Sequence, residues 1–459
     1  MNLEHVIHDA SRSFVPMLRL AGSAMLALAL LAGTALGQTL RSETTWGGQN
    51  ADIAHGVAVA ADGSSYVVGI SDSFTFDEFG QFRAAISLVK FAPDGSLAWQ
   101  RLWTGTTFHG GLTGLGGPAI ALSPDQGSVY VSGLTTTNGN DAVLLKFGAD
   151  GTLLWQRTWG GGSAEEGNGV ATDALGAVYM VGTTTSFGAS SASLFVTKFS
   201  AAGDLVWQKI WDGASGFAAA VAPDGHVYAA GSISRPGSLG SNFDVLALKI
   251  DGAGGLVWSR TYSAGEQVDA RGGMAVGADG SPVIAGAVQA RKGGIVGIAA
   301  WFAKLDPTGA LVFDGEWGSR EGSEAAGVAL APDGVIHVAG QASQGAGTEG
   351  AFAFRVDARG RGIDAVTWGG SGFESGHGVG VATDGTIVLA ATTSAGPPYS
   401  LLDASKRVSG VKGVVAAVAG NLAVPAGTVL DPGAGVIVPD GRTAFAGNFD
   451  TALVRFTRP

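Results

Sequence analysis

Six carboxylates return at nearly the same phase of this sequence. Asp52, Glu165 with Glu166, Asp269, Glu324 and Glu374 stand six or seven residues after an aromatic residue, respectively Trp46, Trp159, Tyr262, Trp317 and Trp368. Carboxylates gathered in one place could hold a divalent cation such as calcium through oxygen ligands, or attract a cationic ligand. The bland alternative is that each acid bonds the backbone amides of its own loop, which acids in turns ordinarily do. His55, His109 and His377 lie near the same loops but share no H-x-x-x-H or comparable ligand spacing, so they do not form a metal motif. No G-x-S-x-G elbow or P-loop is present, and the glycine-rich stretch 110–117 does not open a helix. The x-x-D-G turns lack the alternating ligands of a calcium loop. No catalytic residue is assigned. A last cluster, Phe74, Phe76, Phe79 and Phe82, falls within one stretch, 71–83. Those rings either form an aromatic platform for a glycan or partner or fold down over the body as a satellite core.

The elements that position these residues are repeats. LLWQRTWGG (153–161) has variants at SLAWQRLWTG (96–105), DLVWQKIWDG (204–213), GLVWSRTYSAG (255–265), ALVFDGEWGS (310–319), GIDAVTWGG (362–370) and TLRSETTWGG (39–48). A turn glycine recurs at Gly63, Gly127, Gly176, Gly225, Gly280, Gly334, Gly385 and Gly441, a mean interval of 54 residues. Each unit reads as four short strands, and Asp-Gly marks tight hairpin turns between the first two and between the last two. Four antiparallel strands repeated radially predict an all-β single β-propeller. Eight strand sets predict eight blades, with seven as the alternative if the weakly patterned stretch 386–434 is an insertion. TLRSETTW lacks partners ahead of it and the last repeat stops after three strands, so the N-terminal strand is expected to pair with 450–457 and close the ring. That removes open sheet edges.

Composition agrees with an exported strand protein: 46% hydrophobic, 14% charged and 76 glycines. Residues 1–37 read as a signal peptide, with Met17 as an alternative start, an apolar run from Ala21 to Leu36 and a cut before Gln38. The propeller then occupies 38–459. The run is shorter than the ~20 residues of a membrane span, so no integral membrane protein is expected after cleavage. Cysteine is absent, which excludes disulfides and a lipoprotein anchor. A formal charge of −11 without a basic stripe argues against nucleic acid as a partner. The expected location is periplasm, cell surface or extracellular space, as a monomer.

The pattern WGG…(D/E)…G-V-A-V-x-x-D-G-x-V-Y-V-x-G…D-A-x-L-x-K-F-x-x-D-G-x-L-x-W resembles the SBBP β-propeller repeat of bacterial exported and cell-surface proteins, over residues 40–459. That resemblance implies seven blades and no family-wide catalytic residues. LVKFAPDGSLAW (88–99) and LLKFGADGTLLW (144–155) are more weakly similar to the tryptophan-docking repeats of eight-bladed quinoproteins and outer-membrane assembly scaffolds. Alternating strand direction puts tight turns on one face of the ring and variable loops (71–83, 232–242, 287–294, 341–350) on the other, where binding is expected. The expected function is a non-enzymatic exported scaffold binding a protein or glycan there, with no cofactor unless the acids hold a cation. The alternative is a secreted hydrolase, lyase or quinoprotein acting at the channel mouth.

Overall fold

The computed structural model describes residues 39–457 except 77–78, 81, 107–116, 137–138, 236–241, 264–266, 293–294, 319–321, 346–347, 371, 395–399, 404–413, 418–421, 423–427, 431–435 and 438–449. The signal peptide expected at 1–37, His109 and Gly441 therefore lie outside the described residues. Among the described residues seven antiparallel sheets are present, and each contains the four-stranded core of a blade. Blade 1 comprises Asp52–Val59, Ser65–Ser71, Ala85–Phe91 and Leu97–Trp103, ordered from the channel outward. Blades 2 to 6 repeat this over 119–160, 165–212, 214–263, 274–317 and 323–369. Among the described residues no helix is long and apolar enough to cross a membrane.

Blade 7 draws on both ends of the chain. Its two inner strands are Glu374–Val381 and Ile387–Thr393, its third is Asp450–Thr457, and its outer strand is Thr39–Trp46. The expected pairing of 39–46 with 450–457 is present, running from Thr39↔Thr457 to Trp46↔Thr451. The expectation of eight blades is corrected to seven. The stretch 386–434 does not complete a separate blade, because Ile387–Thr393 already pairs with the chain's last strand. Between those two strands the chain adds short antiparallel strands to the outer edges of other blades: Ser400–Asp403 on blade 6, Val414–Ala417 on blade 4, Thr428–Leu430 on blade 2 and Val436–Ile437 on blade 1. Edge strands carry unpaired amides and carbonyls, and these additions satisfy part of that hydrogen-bonding capacity.

The cores lie between blades, one at each of the seven seams. Trp103 packs with Val129 and Leu145 between blades 1 and 2, and Trp159 with Met180 and Phe195 between blades 2 and 3. Trp211, Tyr262, Trp317 and Trp368 fill the next four seams, and Trp46 fills the seam between blades 7 and 1. These are the aromatics that end the outer strands, so the repeated sequence motif is the inter-blade wedge. The rest of that motif latches neighbours. Trp159 Nε1 donates to Gln208 of blade 3 (2.6 Å), and Arg157 Nε donates to the Gly203 carbonyl (3.0 Å). Burying one such ring contributes about 3–5 kcal/mol, judged by the usual cost of removing it.

The turn glycines are required by backbone conformation: Gly63, Gly176, Gly225, Gly280, Gly334 and Gly385 have φ between +76° and +85°. Blade 2 departs from this, with Gln126 (φ +58°) taking the left-handed position instead of Gly127.

Candidate functional site

The inner strands carry the channel residues through a local irregularity. In blades 1, 3, 4, 6 and 7 the ladder between the first two strands slips by one residue, at His55, Asn168, Phe217, Ala326 and His377. A β-bulge of this kind re-aims the extra side chain. All five residues line a central cavity of about 450 Å³, which Arg271, Glu324, Gln341 and Ser375 also line. Small residues flank each bulge because neighbouring inner strands nearly touch. A Cβ on Gly327 would lie 2.8 Å from the Gly378 Cα, and one on Gly378 would lie 3.0 Å from the Val57 nitrogen.

The cavity wall is polar on one side. His55 and His377 face each other across the seam of blades 1 and 7, with ring centroids 5.9 Å apart. His55 Nδ1 lies 3.2 Å from the Ile53 carbonyl, whereas His377 Nε2 has no hydrogen-bond partner among the described residues. Burial pushes His55 down to about 4. Burial, followed by the proximity of His55, pushes His377 down to about 3. Both imidazoles are therefore neutral at pH 7. Beside them Ser375 Oγ donates to Gln341 Oε1 (2.6 Å). Across the cavity Arg271 lies 5.6 Å from the Phe217 ring centroid and 3.8 Å from Asp269. Asn168 donates to the Gly216 carbonyl (3.0 Å), which leaves its Oδ1 without a partner among the described residues.

The recurrent acids do not converge as a ring of ligands. Asp52 is fully buried and accepts from Gly48 N (2.8 Å), Ser71 Oγ (2.5 Å) and Ser73 Oγ (2.7 Å). Burial raises its pKa to about 6, against the lowering effect of those bonds. Glu165 accepts from Gly161 N (2.8 Å) and Thr184 Oγ1 (2.7 Å). Glu374 accepts from Thr393 Oγ1 (3.3 Å), and its pKa is raised by burial. Asp269 accepts from the Ala287 (3.1 Å) and Arg271 (3.3 Å) amides. Of the five candidate cation ligands only Glu324 lines the cavity. Among the described residues no group of three His, Asp or Glu side chains has metal-binding geometry. Asp52, Glu165 and Glu374 instead accept from the turn after their own blade aromatic, at Gly48, Gly161 and Gly370. That explains the glycine there: a Cβ on Gly160 would lie 2.5 Å from Glu165 Oε2, and one on Gly47 would lie 2.8 Å from Asp52 Oδ2.

The aromatic stretch divides. Phe74 turns inward against Trp46, with centroids 5.6 Å apart. Phe76, Phe79 and Phe82 are 58%, 78% and 41% exposed. A bridge pairs Phe76 with Phe82, whose rings lie 4.7 Å apart, and the Arg83 amide donates to the Thr75 carbonyl (2.9 Å). Two of the expected variable loops are strands instead. Pro282–Lys292 pairs with Ile295–Leu305, and Ile336–Gly345 with Thr348–Val356, as hairpins extending the same face.

No protein-family model matches the chain, and no curated protein matches it. Similar solved structures include a polysaccharide lyase, Uly1 (12% identity, 91% of this chain and 99% of that one, TM-score 0.46). A periplasmic gluconolactonase of Pseudomonas aeruginosa is similar over 71% of this chain and 96% of that one (16% identity, TM-score 0.42). A puromycin hydrolase is similar over 80% of this chain (16% identity, TM-score 0.43), and the match spans 54% of that enzyme's length.

Proposed function

We propose that this protein is an exported, non-enzymatic propeller of the SBBP-repeat type that binds a protein or glycan through the variable face. The exposed rings of Phe76, Phe79 and Phe82 carry this reading. Backbone pairing of Phe76 with Phe82 and of the Arg83 amide with the Thr75 carbonyl ties the base of this stretch independently of the ring identities. Aromatic rings offer sugars and protein side chains a large apolar contact at low entropic cost. The variant Phe76→Ala/Phe79→Ala/Phe82→Ala should retain the wild-type melting temperature. On a glycan array and in pull-downs from the native envelope it should lose at least tenfold of any signal. Binding that survives the triple change would sink the reading.

A second reading, a hydrolase or lyase at the channel mouth, draws on one observation: the Nε2 of His377, without a partner among the described residues, beside His55 in a 450 Å³ cavity. With its pKa pushed down to about 3, His377 is neutral but weakly basic at pH 7, so in this reading it accepts a hydrogen bond from substrate and would act as a base only if substrate binding raised its pKa. Turnover of any ester, lactone or uronate substrate that is abolished by His377→Gln would favour this reading over the first.

A further inference from the structure

Four seams share a slot built in the same way near the tight-turn face. In blades 1 to 4 a tyrosine of the second strand (Tyr66, Tyr130, Tyr179, Tyr228) meets the first tryptophan of the outer strand (Trp99, Trp155, Trp207, Trp258), with ring centroids 5.7–5.8 Å apart. A lysine of the third strand sits 4.9–5.3 Å from each tyrosine ring centroid. Each indole N–H donates, at 3.0–3.2 Å, to one turn carbonyl of the next blade: Ala149, Ala201, Gly252 or Pro307. The lysine donates to that same carbonyl at 3.0–3.4 Å. In three of the four the indole also lies 3.1–3.2 Å from where a Cβ would stand on the next blade's turn glycine, Gly203, Gly254 or Gly309.

At the seam of blades 7 and 1 the same frame stands without its rings. Val388 replaces the tyrosine, Ser42 replaces the tryptophan, and Gly95 (φ +90°) faces Ser42. Arg455 occupies the lysine position and donates to the corresponding carbonyl, that of Pro93. It is 3% exposed, and its Nε has no partner among the described residues. A cavity of about 340 Å³ opens here, lined by Ser42, Val388 and Arg455, by Pro93 and Asp94, and by the charged side chains of Arg41, Asp62 and Asp384. We infer that this slot binds an indole or similar aromatic N–H group. The ring would lie in this cavity against the Arg455 guanidinium, a cation–π arrangement. The N–H would donate to the second lone pair of the Pro93 carbonyl, the place the lysine–tryptophan pair uses in the other seams. The source is a free indole-type molecule or a tryptophan side chain of a partner. This site lies on the face opposite the phenylalanine platform and stands or falls apart from it.

The test titrates indole, 1-methylindole and a short tryptophan-containing peptide into the full chain, followed by saturation-transfer NMR. Indole or the peptide should give saturable binding. Binding by indole as well as the peptide identifies a free molecule as sufficient, whereas binding by the peptide alone identifies a partner side chain; either supports the slot. Loss of the N–H in 1-methylindole should weaken binding about fivefold, the worth of one neutral hydrogen bond. Ser42→Trp should reduce binding at least tenfold while melting at or above wild type, and Val388→Tyr serves if that variant does not fold. The Phe76/Phe79/Phe82 triple-alanine variant should bind indole unchanged. No saturable binding by either probe, equal binding of 1-methylindole, or undiminished binding to a folded, filled variant overturns the inference.

Discussion

The seam between blades 2 and 3 and the seam between blades 7 and 1 solve one packing problem with different materials. Both bury a terminal tryptophan completely, Trp159 and Trp46, and both tie its indole to a glutamine on the next blade, Gln208 at 2.6 Å and Gln100 at 2.5 Å. They differ nearer the tight-turn face. There the 2/3 seam has Tyr130 and Trp155, while the 7/1 seam has Val388, Ser42 and a buried arginine. They differ again at the channel, where the 7/1 seam sets two histidine rings 5.9 Å apart, a pair seen at no other seam among the described residues. The wedge is thus the part of the repeat that the ring cannot do without. The outer slot and the channel position are the parts that vary.

The most disruptive way to probe that contrast is to delete residues 38–48. This removes the outer strand of blade 7, empties the Trp46 position and exposes the edge of 450–457. The cost should exceed the ~3–5 kcal/mol of one buried tryptophan, a large fraction of the ~5–15 kcal/mol that ordinarily holds a domain together. A truncated chain that melts like the intact one would show that the two termini do not hold the ring.

Converting one seam into the other is the sharper experiment. Tyr130→Val with Trp155→Ser gives the 2/3 seam the residues of the 7/1 seam at those positions. Removing the two rings should cost about 3–5 kcal/mol in urea unfolding, because Tyr130 is 1% exposed and the vacated volume is not refilled. A loss below about 1 kcal/mol would mean that the slot is ornamental in every blade and that its vacancy between blades 7 and 1 has no significance.

The wedge was legible in the sequence because a large aromatic recurs at the end of each unit, and little but inter-blade packing demands that. The pairing of 39–46 with 450–457 was legible because each piece lacked what the other supplied. The blade count was not legible in this way: 435–440 has strand composition, but composition does not say which edge a strand joins, and Val436–Ile437 joined blade 1. The acids share a phase only loosely, because their spacing differs by one residue. Glu374 and Asp52, six after their tryptophans, turn into their own loops, while Glu324, seven after Trp317, reaches the cavity; Asp269, seven after Tyr262, does not, so the spacing alone does not decide the outcome. A slip of one residue along a strand sends a side chain to the opposite face. Of the channel set, His55, His377 and Glu324 were singled out in the sequence but not as one group, while Asn168, Phe217 and Arg271 were missed. The signal of the set was a residue held between small neighbours, A-H-G at 54–56, G-N-G at 167–169 and G-H-G at 376–378, which marks a bulge more than a motif.

The histidine pair makes the contrast depend on pH. Both imidazoles have folded pKa values below the ordinary 6.5, at about 4 and about 3. Their contribution to stability is therefore complete above pH 6.5. It falls as pH drops toward 4, because the unfolded chain takes up protons that the folded one refuses. Asp52 works the other way. Its raised pKa favours the fold below pH 3.8 and loses that advantage as pH rises through about 6. The wild type should lose melting temperature between pH 6.5 and 4.5, and His55→Gln/His377→Gln should lose measurably less over the same interval. Parallel curves would place the acid sensitivity elsewhere.

The smallest expected effect concerns calcium. A cation that binds the native state at a hundredfold excess over its Kd would add about 2.7 kcal/mol, which melting readily detects. Calcium wants six to eight oxygens at about 2.3–2.6 Å, mostly from groups free to turn toward it. Asp52, Glu165, Asp269 and Glu374 are instead engaged by their own loops: Gly48 and two serines, Gly161 and Thr184, the Ala287 and Arg271 amides, and Thr393. Recruiting any of them would break bonds to amides or hydroxyls that burial leaves no water to replace. Glu324, which does reach the cavity, shares its lining with Arg271 and two histidines. Melting in millimolar calcium and in EDTA should therefore coincide within about 1 °C, in the wild type and in Glu324→Gln alike. A calcium-dependent rise that Glu324→Gln removes would overturn this assignment and make the channel mouth a cation site.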